Sequence, residues 1–157
     1  MFCGEEERVY MQEVTIREAT SMDMSDIMKL QVKVFAGEQE IPEDIIEVIG
    51  EDVTRWWCAA IDSLVVGAVA AWKEDNQIHW GRFAVNNTYR GKQIGTRLAR
   101  HSLEALFSQG VEEVYMDARD ATVGIICSMG GKIIGKPVPF YKGTVTPVVI
   151  SREDYYR

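Results

Sequence analysis

The sequence predicts an α/β fold built on one mixed sheet, and three observations carry that prediction. Apolar residues alternate in strand-like runs, and segments with helical spacing lie between them. Three of the strand runs follow one another across short turns, which makes them antiparallel, whereas the next strand is reached only through a helix, which makes that pair parallel. With 157 residues, 46% of them hydrophobic, the chain is long enough for one real core and too short for two, so residues 1–157 read as a single domain.

Residues 1–12, opening "MFCGEEERVY", read as a poorly ordered leader. "VTIREA" (14–19) alternates like a strand, and Thr20 with Asp23 three residues later has the capping spacing that starts a helix. Ile27, Leu30, Gln31 and Val34 share one face of that helix. Residues 36–53 are acidic and interrupted by Gly37 and Pro42, so only "EDIIEVIG" (43–50) is expected to form a short second helix. "WWCAAI" (56–61), a turn at Asp62–Ser63, "LVVGAVAAW" (64–72), a turn in "KEDN" and "QIHWGRFAV" (77–85) give three consecutive strands.

Ile94, Leu98, Ser102, Ala105 and Leu106 then mark one stripe of a helix that stops near Gly110. "EEVYMDA" (112–118) is the parallel strand, and "ATVGIICSMGG" (121–131) is a shorter helix ended by glycines. "KIIG" and "TVTPVVIS" (144–151) read as a closing hairpin, while "REDYYR" (152–157) either closes the sheet or mediates dimer contacts.

Composition excludes several classes. Seventeen basic against twenty-four acidic side chains give a net charge of −7, which repels phosphate backbones, so no nucleic acid is expected as a partner. No apolar run approaches the roughly 20 residues of a bilayer span, so no membrane partner is expected. Cys3, Cys58 and Cys127 are odd in number and widely spaced, which points to reduced thiols in a cytoplasmic protein and to no metal site.

The most informative stretch is the strand-to-helix junction "NTYRGKQIGTRLAR" (87–100). A helix entered from a strand leaves its first N–H groups without intrahelical acceptors, and the helix dipole makes them attractive to anions. Gly91 and Gly95 let a phosphate approach the main chain, and Arg90 and Lys92 add positive charge. From spacing alone the junction is either such an anion site or a glycine-bearing solvated loop. No GxxxxGK[ST] and no early GxGxxG is present, so ATP and dinucleotide readings are not supported.

"FAVNNTYRGKQIGTRLARHSLEAL" (83–106) resembles motif A of the GCN5-related N-acetyltransferases, Arg/Gln-x-x-Gly-x-Gly/Ala after the fourth strand, with Gln93 in place of the first motif glycine. "KVFAGEQEIPEDIIEVIGED" (33–52) is similar to the VFxxEQxIP segment of one bacterial subgroup of these enzymes. The resemblance implies six to seven strands flanked by about four helices, splayed between strands four and five, with acetyl-CoA in the opening and no metal. It places the pyrophosphate at Arg90, Gly91, Lys92 and the amides of Gln93, Ile94, Gly95 and Thr96, and the pantetheine along Phe83, Ala84 and Val85. It implies direct transfer of the acetyl group to the primary amine of a small-molecule or amino-acid-like acceptor. A homodimer would be ordinary.

Transfer to an amine needs a proton acceptor, an oxyanion donor and a proton for the departing thiolate. Glu38, in the subgroup's EQ pair with Gln39, is the candidate base or amine-recognition group. Arg82, read by alternation as sharing a face with Trp80 and Ala84, is a catalytic candidate or half of a structural ion pair. His79, placed on the face of Gly81 and Phe83, and Asp117 on strand five read as structural or wall residues. Many family members carry a tyrosine in the helix after strand five. Here Ile126 or Cys127 takes that place, Tyr141 is the candidate substitute, and Val148 stands where the subgroup has a late histidine. These losses leave open a second reading, a catalytically weak or inactive acyl-CoA-binding or sensing domain.

Overall fold

The computed structural model describes residues 13–43 and 54–157. The expected leader, Cys3 and the predicted helix in 43–50 lie outside or almost wholly outside those residues. The first strand, β1 (Thr15–Glu18), leads through a single 3-10 turn at Ser21–Asp23 into α1 (Met24–Gln31). The predicted capping box forms, with the Thr20 N–H donating to Asp23 at 2.7 Å, and Arg17 grips the same carboxylate at 2.7 and 2.9 Å. α1 runs on as one π-helical turn, Val32–Ala36, a feature frequent where a helix end is shaped by a site.

Strands β2 (Arg55–Ile61), β3 (Leu64–Glu74) and β4 (Gln77–Val85) form the predicted meander. Both two-residue turns are left-handed at each position, with φ of 47° and 71° at Asp62 and Ser63 and of 51° and 65° at Asp75 and Asn76. That geometry matches the twist of antiparallel strands. Helix α2 (Ile94–Ser108) crosses to β5 (Glu113–Ala118), which lies parallel to β4. Helix α3 (Asp120–Ser128) follows, then short β6 (Lys132–Ile133) and β7 (Val138–Pro139), the long β8 (Thr144–Ser151), and α4 (Arg152–Tyr156). The strands run in the order β1-β2-β3-β4-β5-β8-β6, with β7 also paired to β8, one more strand than expected because a two-residue bridge precedes the last strand. "REDYYR" becomes α4, capped where Ser151 Oγ accepts the Asp154 N–H at 3.0 Å.

Two packed layers cover the sheet. On one face Ile27, Leu30, Val34 and Phe35 of the first helical segment bury Trp56, Cys58, Ala68, Ala70 and Ala84. On the other, Leu98, Ala99, Leu103, Leu106 and Phe107 of α2 bury Trp57, Val69, Trp80 and the β5 and β8 residues Val114, Val148 and Ile150. Adjacent Trp56 and Trp57 therefore serve opposite layers, as strand alternation requires. Ser102 sits inside this core because its hydroxyl accepts from Trp80 Nε1 at 2.9 Å and donates to Ala99 O at 3.0 Å, so neither polar group is stranded. No helix of the described residues is long and apolar enough to cross a membrane.

One prediction of side-chain facing fails. Ala68 pairs with Ala84 and Ala70 with Gly81, so Arg82 and Phe83 together oppose Val69 in a β-bulge, with Arg82 at φ 56°. The inserted residue reverses the alternation. Trp80 packs under α2 while Ala84 packs under α1, so Trp80, Arg82 and Ala84 do not share a face. Phe83 lies against Trp80, their rings 5.1 Å apart, and is thereby parted from His79, which stacks on Trp72 at 6.0 Å on the other face.

The Asp23 carboxyl is held well below the ordinary carboxylate range, chiefly by Arg17 and then by the Thr20 N–H. A depressed carboxyl stabilises fully above the unfolded value of about 4 and loses that contribution as pH falls through the folded value. Asp23→Asn is expected to cost about 1 kcal/mol at neutral pH, as for other lost helix caps with a half-exposed ion pair. Urea titrations across pH should show the gap to the parent closing in acid. A gap that persists into strong acid would show that the charge is not responsible.

Candidate active site

β4 and β5 are paired only at Ile78–Val114 and His79–Tyr115. Beyond those two rungs the strands separate, leaving a cleft of about 950 Å³ lined by β4 from His79 to Val85 and by Met116, Asp117 and Ala118 of β5. The bulge at Arg82 sits at this divergence. Its carbonyl accepts a 2.9 Å hydrogen bond from Gln31 Nε2, and Gln31 is 0% exposed, so a buried glutamine of α1 pins the bend. Gln31 Oε1 has no partner among the described residues.

The junction that the sequence singled out forms one end of the cleft. Asn86 accepts the Thr88 N–H, a 3-10 turn spans Asn87–Tyr89, and the chain then enters α2 through Gln93 at φ 64°, ψ 11°. Gln93 thus adopts the left-handed conformation that the motif glycine would supply without strain. The intrahelical ladder begins with Arg97 N to Gln93 O at 3.0 Å, so the amides of Gln93, Ile94, Gly95 and Thr96 are the four that helix geometry leaves without intrahelical acceptors. A Cβ on Gly95 would meet the Phe83 ring at 3.1 Å, so glycine is what lets the first turn of α2 lie against β4. Gly91, at φ 79°, has open space where its Cβ would be.

The charged candidates are more committed than spacing implied. Arg90 Nε donates to Val85 O at 2.9 Å, and its NH1 group pairs with Glu38 at 2.8 Å. The proposed phosphate ligand thus also closes the end of β4 and anchors the candidate base. The other Glu38 oxygen is buried without a partner. Lys92 Nζ rests 5.5 Å from the centre of the Tyr89 ring. Arg82 lies 6.0 Å from the Phe35 ring centre, and burial pulls its guanidinium below the usual range.

Tyr141 does not join this group. It is 48% exposed, packs edge-on against Phe140, and stands outside the cleft lining. Ile125 lines the cleft where α3 faces it, whereas Ile126 is fully buried and Val148 is likewise 0% exposed, so neither position can present a polar group to a ligand as the chain stands. Sequence reasoning missed Arg119, which lines the cleft and joins three segments. Its Nε donates to Gln39 Oε1 at 3.0 Å, and one terminal nitrogen donates to Lys142 O at 2.9 Å and Thr144 O at 3.4 Å. The only signal for it in the sequence is an arginine directly after a strand and before a helix.

The two left-handed positions of the junction should respond oppositely to substitution. Gly91→Ala is expected to cost about 1 kcal/mol, and Gln93→Gly to be neutral or to recover up to about 1 kcal/mol, because an L side chain is strained at positive φ. Urea midpoints at neutral pH would check this, and equal signs at both positions would contradict the assigned geometry.

No curated protein matches this chain. Among solved structures, Escherichia coli ElaA superposes with a TM-score of 0.77 at 18% identity, over 87% of this chain and 99% of that one. An acyl-CoA N-acyltransferase from Pseudomonas aeruginosa gives 0.71 at 18% identity over 87% and 98%, and an aminoglycoside 6'-acetyltransferase type Ii gives 0.68 at 18% over 87% and 96%. Identities this low establish the shared fold. The model of the acetyltransferase (GNAT) family matches residues 24–126, from the start of α1 into α3, and so takes in β4, the α2 junction and β5 together. The chain belongs to the GNAT acetyltransferase family.

Proposed function

We propose that this protein transfers an acetyl group from acetyl-CoA to the primary amine of a small-molecule or amino-acid-like acceptor, directly and within a ternary complex. The observation that carries this reading is the conjunction at one cleft of a splayed β4–β5 pair, the free-amide turn of α2 and the Glu38 carboxylate, one oxygen of which is buried and unpartnered. Two features of the junction support the fit of the cosubstrate: Gln93 already adopts the left-handed turn, and Gly91 leaves open space where a Cβ would be.

The amides of Gln93, Ile94, Gly95 and Thr96 would hold the pyrophosphate, with Gly91 leaving room and Lys92 and Arg90 adding charge. The main chain of Phe83, Ala84 and Val85, unpaired on the β5 side, would bind the pantetheine as an added strand. Bound there, acetyl-CoA supplies an activated thioester. A β4 N–H in the same stretch would donate to the developing oxyanion, worth several kcal/mol when preorganised.

An alkylamine titrates near 10, so it arrives protonated and must surrender a proton. Glu38 would accept it, directly or through water, and its one unpartnered oxygen is the atom available for that task. Arg82 would lend positive charge to the same wall. Tyr141, exposed and outside the cleft lining, would serve as acid for the departing thiolate only if the Phe140–Gly143 turn rearranged. An alkyl thiol titrates near 8.5, so its departure near neutrality makes a modest demand on an acid.

A second reading, an acyl-CoA-binding or sensing domain of little or no activity, is favoured by two specific observations. Glu38 is tied to Arg90, and α3 presents Ile125 rather than a phenol to the cleft. Turnover separates the two readings, since tight CoA binding with no acetylated product from broad amine panels would select the second.

Calorimetric titration is expected to show micromolar acetyl-CoA binding that Gly95→Glu abolishes. Unchanged affinity in that variant would remove the cradle assignment. Glu38→Gln is expected to lower kcat by roughly 10² to 10⁴, the range for a lost general base, with a folded protein by circular dichroism. An unaltered kcat would transfer the role of base elsewhere.

A further inference from the structure

Arg119 carries a charge that the described residues leave unanswered. It lines the cleft, and its partners are three neutral oxygens, those of Gln39, Lys142 and Thr144. None of the described ion pairs includes it, although the chain holds twenty-four acidic side chains. One guanidinium nitrogen, Nη2, is buried with no acceptor, and Phe140 covers the group with its ring centre 5.4 Å away. Partial burial lowers the pKa of the group.

Such an arrangement is costly unless something else completes it. A desolvated charge is normally paired, and a guanidinium matches a carboxylate in shape and in its parallel donors. The contacts of Arg119 place it toward the acceptor rather than the cosubstrate. Gln39 belongs to the loop that carries Glu38, Lys142 to the β7–β8 turn and Thr144 to the start of β8, and none of these contacts is with the α2 junction.

We propose that the acceptor is an amine that also carries a carboxylate, of the amino-acid or short-peptide class, and that Arg119 reads the carboxylate while Glu38 faces the amine. This rests on the acetyltransferase reading above and narrows it. Access of the carboxylate to Nη2 requires an outward shift of the covering turn, which is exposed and carries left-handed Tyr141 (φ 50°) and Gly143 (φ 104°). Acceptors that are purely cationic, with nothing to offer Arg119, are disfavoured.

The test compares N-acetylglycine, N-acetyl-L-leucine and N-acetyl-L-phenylalanine with their carboxamides, each titrated calorimetrically with and without CoA. The acids are expected to bind roughly tenfold to hundredfold more tightly than the amides, the scale of one charged hydrogen bond. Arg119→Gln should erase that ratio, and Arg119→Lys should restore part of it. A parent protein that treats acid and amide alike, or binds neither, overturns the proposal without recourse to any variant. Loss of the acetyl-CoA affinity itself in a folded Arg119→Gln protein overturns it too, since the charge would then serve the phosphates. An intact ratio in Arg119→Gln shows a structural staple only. Acid-selective binding that Arg119→Gln erases, without turnover on any free amino acid or short peptide, removes the enzyme reading and leaves Arg119 as a carboxylate-binding group, so the two failures are distinct.

Discussion

The cleft exists because β4 leaves β5 after His79. A parallel ladder that continued would consume the N–H and C=O groups of both strands, and there would be neither a gap nor free backbone to fill it. The departure is built by a bulge in which Arg82 and Phe83 oppose Val69, with Arg82 in a left-handed conformation that costs of order 1 kcal/mol or more. What over-determines that strain is α1. Gln31 is fully buried among apolar neighbours and spends its amide on the Arg82 carbonyl, so a helix on one face of the sheet fixes the bend that opens the other edge. The π-helical turn that follows Gln31 then sets Phe35 beneath Arg82 and delivers Glu38 and Gln39 to the cleft.

The cleft brings both signs of charge together: Arg82, Arg90 and Arg119 line it alongside Glu38, Glu74, Asp75 and Asp117. Arg90 joins its two ends, bonding the last β4 carbonyl and the Glu38 carboxylate at once. Arg119 makes the corresponding tie on the β5 side, between the Gln39 loop and the β7–β8 turn. Each acts as a clamp with unused donor capacity, which is how a site can be rigid before a ligand arrives and still have hydrogen bonds to offer.

Much of this protein could be read from its residues in order, because the decisive signals were local. The Thr20–Asp23 cap, the two tight turns and the stripe from Ile94 to Leu106 all depend on neighbours within a few positions, and each formed as its pattern required. The α2 junction was legible for the same reason, since free amides at a helix start follow from connectivity alone. The faces of β4, the burial of Val148, the exclusion of Tyr141 and the role of Arg119 were not legible. A bulge shifts facing by a single residue and is set by a glutamine fifty-one positions away, while Arg119 acquires its partners from segments eighty and twenty-three positions distant. The sequence by itself determined most of the strands and helices and where a helix start leaves amides without intrahelical acceptors. Only the tertiary structure decided which side chains face the cleft, because facing depends on register and burial, and those are settled between elements rather than within them.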